Sequence, residues 1–202
     1  MVWAWQLWLS PRPLRRTIIT SNNSFLAAHD AALFEFLQDE NDRWVVQETH
    51  YIKNRIVKNG LSGPPLHIHW LQKEFFKVKK GVIGIHRNGQ EIAATSSDGI
   101  IEIPAGTRHR FWAHASSQED LIFQVWAEPQ DLTYSFDENF LRNFVGYHRD
   151  CQKANIKPSV FQIILLSYNS ATVATPPFWM PLWILKLVHY LLAYWIGAAL
   201  LG

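Results

Sequence analysis

The sequence predicts a mainly β domain, a small barrel or sandwich, followed by helices and an apolar helix at the carboxy terminus. Three observations predict it. The middle of the chain is a series of short β-branched and aromatic segments separated by turn residues. Beyond residue 135 the apolar residues change to helical spacing. From Pro158 to Gly202 the only charged residue is Lys186. At 202 residues the chain suits one fold with an appendage rather than two ordinary domains.

The apolar stretch 1–9 lacks a positively charged segment before it and meets Pro11 and Pro13 at once, so it reads as a strand or surface-lying segment rather than a cleaved signal. Residues 24–37 have a helical look, giving an amino-terminal segment and helix over 1–43. Residues 44–57 read as a long strand. Further strands are predicted at 75–85, 91–95, 100–103, 108–114 and 121–127, with Asn88-Gly89 as a hairpin turn, and they place a barrel over 44–134. Ser135 and Glu138 have capping-box spacing, and Phe136, Phe140, Leu141, Phe144 and Val145 mark one helical face, which begins a helical extension over 135–175.

The tail, 176–202, follows Pro176-Pro177, and residues 178–201 are long enough for a helix to cross a hydrocarbon core. Trp179 and Trp183 stand near one end, Tyr194 and Trp195 toward the other, as amphipathic rings do at headgroup level. A central Lys costs about 2.5–3.5 kcal/mol on the insertion scale, and each Leu, Ile, Phe or Val returns roughly 0.3–0.6. Eleven such residues offset Lys186, which can also snorkel. The expectation is a single-pass carboxy-terminal anchor, the barrel kept in the cytosol by Arg142, Arg149, Lys153 and Lys157. The alternative is an amphipathic helix lying on the membrane or docked on the barrel.

Nineteen Lys plus Arg against 17 Asp plus Glu leave no broad basic field, which argues against nucleic acid as a partner. The single cysteine, Cys151, excludes an internal disulfide and a thiolate-rich metal cage, and suggests a reducing compartment. Any metal site must use imidazole and carboxylate.

His67 and His69 stand at i and i+2, which a strand places on one face. Glu74 follows closely enough for a bend to return its carboxylate to the same point. In Pro104-Ala-Gly106-Thr-Arg-His109 a turn precedes a strand that carries a fourth donor, His109. Three imidazoles and one carboxylate suit a divalent transition ion and leave up to two positions of an octahedral ion open. The other histidines, His29, His50, His86, His114, His148 and His189, read as surface or satisfied core residues. Residues sharing the ligands' strand parity line an apolar interior for substrate: Phe76, Val78 and Phe111, with Gln124 or Trp126 on the last strand. Arg108 and Arg110 fall on the opposite face.

These two segments resemble the paired signature motifs of the cupin superfamily. The first is matched by His67, His69, Glu74 and Gly81, with four residues between His69 and Glu74 and six between Glu74 and Gly81. The second is matched by Gly99, Pro104, Gly106 and His109. Gly60 and Gly63 straddle the usual place of the leading glycine, Gly99 stands one residue nearer Pro104, and Ala113 replaces the closing Asn. These departures touch loop geometry and spare every ligand. The resemblance implies a cupin (jelly-roll) β-barrel whose metal ligands are His67, His69, Glu74 and His109.

Cys151, Pro158-Ser-Val-Phe-Gln162 and the hydrophobic tail are similar to fungal cupin-domain oxidoreductases of polyketide and salicylaldehyde-type pathways. That resemblance implies a tailoring step on a small lipophilic molecule, and cupin barrels commonly pair as homodimers. The reading is a mononuclear metalloenzyme holding Fe(II), with Mn, Ni or Zn as alternatives among which the sequence does not choose. An isomerase or lyase using the same metal, and a non-catalytic binding module tethered to a membrane, are the rival classes.

Overall fold

In the computed structural model, residues 3–17 and 22–201 are described. Residues 1, 2 and 18–21 of the anticipated amino-terminal segment, and residue 202 of the tail, lie outside them. The elements are α1 (Ala4–Leu9), β1 (Ser24–Leu26), β2 (Ala32–Gln38), β3 (Trp44–His50), α2 (Arg55–Lys58), β4 (His67–His69), β5 (Lys73–Lys80), β6 (Ile83–Arg87), β7 (Gln90–Ala94), β8 (Ile100–Ile103), β9 (His109–Ala113), β10 (Leu121–Glu128), α3 (Glu138–Lys153), α4 (Val160–Tyr168), β11 (Thr172–Ala174) and α5 (Leu182–Tyr190). A π-helical stretch, Leu191–Leu200, continues α5.

Among the described residues the strands form two antiparallel sheets, six strands in the order β1-β2-β3-β10-β5-β8 and five in the order β11-β4-β9-β6-β7. Their apolar faces enclose one core, as the jelly-roll expectation required. At its centre Phe76, Phe111 and Phe123 meet with ring centroids 4.9 to 6.0 Å apart. Rings in edge and tilted contact gain about 0.5–1.5 kcal/mol per pair beyond their burial.

The strands begin ahead of the anticipated start at residue 44. The helix expected over 24–37 is instead β1 and β2, because Ala32, Phe34 and Phe36 alternate with Leu33, Glu35 and Leu37 and pair with β3, Phe34 opposite Glu48 and Phe36 opposite Val46. His29 and Asp30, both at positive φ, turn the chain between the two strands. The strand expected over 44–57 stops at His50, since the Asn54 side chain accepts from the Ile56 amide at 2.9 Å and starts α2. The cap of α3 is Asp137, accepting from the Phe140 amide at 2.7 Å, while Ser135 donates to the Leu132 carbonyl. Residues 4–9 are helical and surface-lying rather than a strand. Within 135–175, β11 joins the five-stranded sheet by pairing with β4.

The tail helix starts at Leu182, four residues later than residue 178, because Pro181 disfavours the helical conformation at Met180 and itself stands extended at the N-cap. Leu185 packs with Ile68 and Val173 on the outer face of β4 and β11. Lys186 Nζ sits 4.3 Å from the centre of the Trp70 ring.

Candidate metal centre

Each ligand position is set by strand pairing. His67 on β4 is the register partner of His109 on β9, so these two imidazoles face each other across one sheet. Glu74 lies near the start of β5 in the other sheet, between Ala127 of β10 and Ile103 of β8. The carboxylate therefore approaches the imidazoles from the facing sheet. All four side chains are buried, and their nearest donor atoms lie within 4.8 Å of one another. His109 Nε2 is 2.7 Å from Glu74 Oε2, and His69 Nε2 is 3.5 Å from Oε1. The sequence-predicted quartet is brought together.

Two glycines of the motifs make this possible. A Cβ on Gly63 would sit 1.7 Å from the Phe111 carbonyl oxygen, so only glycine lets this loop lie against β9. Gly106, at φ +75°, donates its amide to the His69 carbonyl at 2.7 Å and ties the second motif to the first.

The outer nitrogen of each imidazole is engaged. Nδ1 of His67 donates to the Pro65 carbonyl, Nδ1 of His109 to the Thr107 carbonyl and Nδ1 of His69 to Thr172 Oγ1, each at 2.9 Å. These bonds engage Nδ1 of each ring and leave each Nε2 as the atom available to a metal ion. Among the described residues the His69 Nε2 is buried without a hydrogen-bond partner. With the His109 Nδ1 proton committed to Thr107, its 2.7 Å contact with Glu74 calls for a positive charge between them, a proton or a metal ion.

Burial would raise the Glu74 carboxyl, but the neighbouring His69 and His109 and the contact with His109 Nε2 outweigh it and hold it well below the usual carboxylate range. Burial lowers His109, and Glu74 more than reverses this, so its net shift is upward. His67 is held well below its ordinary value by burial and by the neighbouring imidazoles. The chemistry fits a cation: an ionised carboxylate, three correctly oriented imidazoles and one orphaned nitrogen in a buried centre.

Phe76, Val78 and Phe111 share the ligands' parity on β5 and β9 and are buried in the core. Gln124 and Trp126 do not face that core. The parity of β10 is set by Ala127 opposite Glu74, Val125 opposite Phe76 and Phe123 opposite Val78, so the inward residues are Phe123, Val125 and Ala127. Trp126 stacks on Phe75 at 5.4 Å on the outer face, under the Arg43 guanidinium. No ligand on that strand set its phase in the sequence.

Several site residues carry no sequence signal. Thr172 reaches His69 from a separate strand more than a hundred positions away. The Phe136 ring lies 4.9 Å from the His69 ring, pinned there by buried Gln72, whose Oε1 accepts from the Phe136 amide at 2.6 Å. Inside the barrel, Glu48 and His50 are both buried and hydrogen-bonded at 2.9 Å. Burial chiefly raises the Glu48 carboxyl, with the Glu74 charge adding and His50 opposing.

No family model matches the chain. A probable oxidoreductase, virH, of Hypocrea virens is 64% identical over all 202 residues, which cover 92% of that protein. The oxidoreductase iacF of Pestalotiopsis fici is 50% identical over the full length of both chains. Among solved structures, KdgF from Halomonas is 14% identical, with a TM-score of 0.40 over 58% of this chain and 96% of that one. A cupin-2 domain protein from Shewanella frigidimarina is 21% identical, with a TM-score of 0.35 over 48% of this chain and 79% of that one. With both signature motifs meeting between two antiparallel sheets, and with full-length relatives at this identity, the chain belongs to the family of fungal cupin-fold oxidoreductases.

Proposed function

We propose that His67, His69, Glu74 and His109 hold one divalent transition ion, Fe(II) before Mn, Ni or Zn, and that the protein is a metal-dependent oxidoreductase acting on a small lipophilic molecule. The observation that carries this reading is the convergence of four buried donor atoms within 4.8 Å, each imidazole turned by a hydrogen bond on its far nitrogen. When bound, such an ion polarises an oxygen substituent of the substrate and, if redox-active, supports oxygen chemistry. The chain's own contribution is positional. Pro65, Thr107 and Thr172 hold the imidazoles, Glu74 supplies the negative charge, and Phe76, Phe111 and Phe136 exclude water around them.

The relatives named as fungal oxidoreductases support the reaction class, and we assign the substrate to polyketide secondary metabolism on the resemblance of the last third of the sequence, as a lipophilic intermediate tailored after assembly. The deciding experiment is metal analysis of the purified protein, followed by oxygen uptake with candidate polyketide aldehydes and alcohols. One equivalent of transition metal and substrate-dependent oxygen consumption support the reading. Turnover without oxygen consumption would favour isomerase or lyase chemistry, and a protein that takes up no transition ion would end it.

We also read the protein as membrane-associated, with the barrel on the cytosolic side. The helix Leu182–Leu200, 19 residues long and apolar enough to cross a bilayer, supports this attachment.

A further inference from the structure

The two ends of the chain meet. In α1 the Gln6 side-chain amide donates to the Leu200 carbonyl at 2.7 Å, and the Arg12 guanidinium donates to the Leu201 carbonyl. Just beyond α1, the buried hydroxyls of Ser10 and Ser159 are 2.7 Å apart. The tail helix itself has two apolar faces. Leu185, His189, Ala193, Gly197 and Leu201 are buried at every fourth position, a seam that packs on β11 and along α4, and His189 Nε2 donates to the Ile164 carbonyl at 3.0 Å. Between these positions Trp183, Leu187, Leu191, Tyr194 and Trp195 stand exposed. Trp3, Trp5 and Trp8 of α1 are exposed as well, Trp8 by 80%.

We propose that α1 and the tail helix form a single docking face for a bilayer with acidic headgroups, and that the helix lies in the plane of the interface instead of crossing it. This rests on the membrane-associated reading and decides its geometry. A crossing helix must present apolar atoms on all sides, whereas here one side is committed to the protein along its whole length and its single charge, Lys186, sits over Trp70. The exposed rings of Trp and Tyr have an apolar body and a polar tip, the combination that partitions to headgroup depth. Charge complements the lipid: residues 1–29 and 158–202 contain no Asp or Glu, and bring Arg12, Arg15, Arg16 and Lys186. Arg16 is partly neutralised by Asp150 at 3.3 Å, while Arg15 is exposed. A protein partner would call for a polar rim of mixed charge around an apolar centre, which these segments lack.

The test is flotation of the full-length protein with phosphatidylcholine vesicles, with and without phosphatidylserine, followed by alkaline carbonate extraction and protease protection of the carboxy terminus. The expected result is stronger binding to phosphatidylserine vesicles, release by carbonate, and a carboxy terminus open to protease. Trp3→Ser, Trp5→Ser and Trp8→Ser together should weaken partitioning by on the order of tenfold or more while leaving the melting temperature unchanged. Carbonate-resistant binding with a protected carboxy terminus would overturn the in-plane geometry and leave membrane association standing. Full binding by the triple variant would remove α1 from the face and overturn the proposal. Failure to float, with a dimer in sedimentation, would sink both the membrane reading and this one and assign the face to a second copy.

Discussion

The amide of Gly106 donates to the carbonyl of His69 at 2.7 Å, so the turn that leads into one ligand strand is bonded to the strand that carries two other ligands. The motifs are thereby joined through backbone as well as through their side chains. Gly106 has φ +75° and open space where a Cβ would stand, so Gly106→Ala meets backbone strain and no collision. We expect a loss of about 1 kcal/mol or somewhat more in denaturant unfolding, with the metal site retained.

Gly63→Ala should behave differently. Its Cβ would fall 1.7 Å from the Phe111 carbonyl oxygen, an overlap with backbone that no rotamer relieves. The loop or β9 must move, and His109 is on β9. The expected outcome is a protein that is poorly soluble or, where it folds, carries little metal; normal folding with full metal content would contradict the close approach.

Thr172→Val keeps size and removes the oxygen that accepts the His69 Nδ1 proton at 2.9 Å. The ring loses its orientation and its fixed tautomer, while the fold keeps the β11 backbone pairing. Metal affinity measured by chelator competition should fall about 10- to 100-fold. His67→Ala and Glu74→Ala, which remove donors outright, should bring metal content to background.

The Glu48 carboxyl, raised by burial, makes stability depend on pH. The unfolded chain releases this proton near the ordinary value of 4.5, whereas the native state holds it to higher pH. Between those two values the native state binds more protons, so this group's contribution to stability falls as pH rises through the window. Glu48→Gln should flatten that decline in denaturant titrations across pH, compared with the parent. An unchanged slope would show that Glu48 is not held protonated.

Local patterns were readable where one rule applied without competition. The strand at 100–103, the Asn88-Gly89 turn and the ligand segments needed only strand parity and turn chemistry, and they stand where those rules put them. Residues 24–37 misled because Leu26, Leu33 and Leu37 fall at helical spacing while Ala32, Phe34 and Phe36 alternate, and pairing with β3 settled the choice. Ser135 lost the cap to Asp137, a residue of equal capping ability two positions later.

The sequence by itself determined which four side chains make up the candidate metal centre, because ligand chemistry and strand periodicity are local and both are written in short motifs. The tertiary structure alone decided that Phe123, Val125 and Ala127 face the interior instead of Gln124 and Trp126, that Thr172 supports His69, and that Gln6 of α1 is bonded to the Leu200 carbonyl of the tail. The physical reason is that a strand's phase, and the partner of a far nitrogen or an exposed ring, depend on which distant segment is packed against it, and no spacing along the chain records that neighbour.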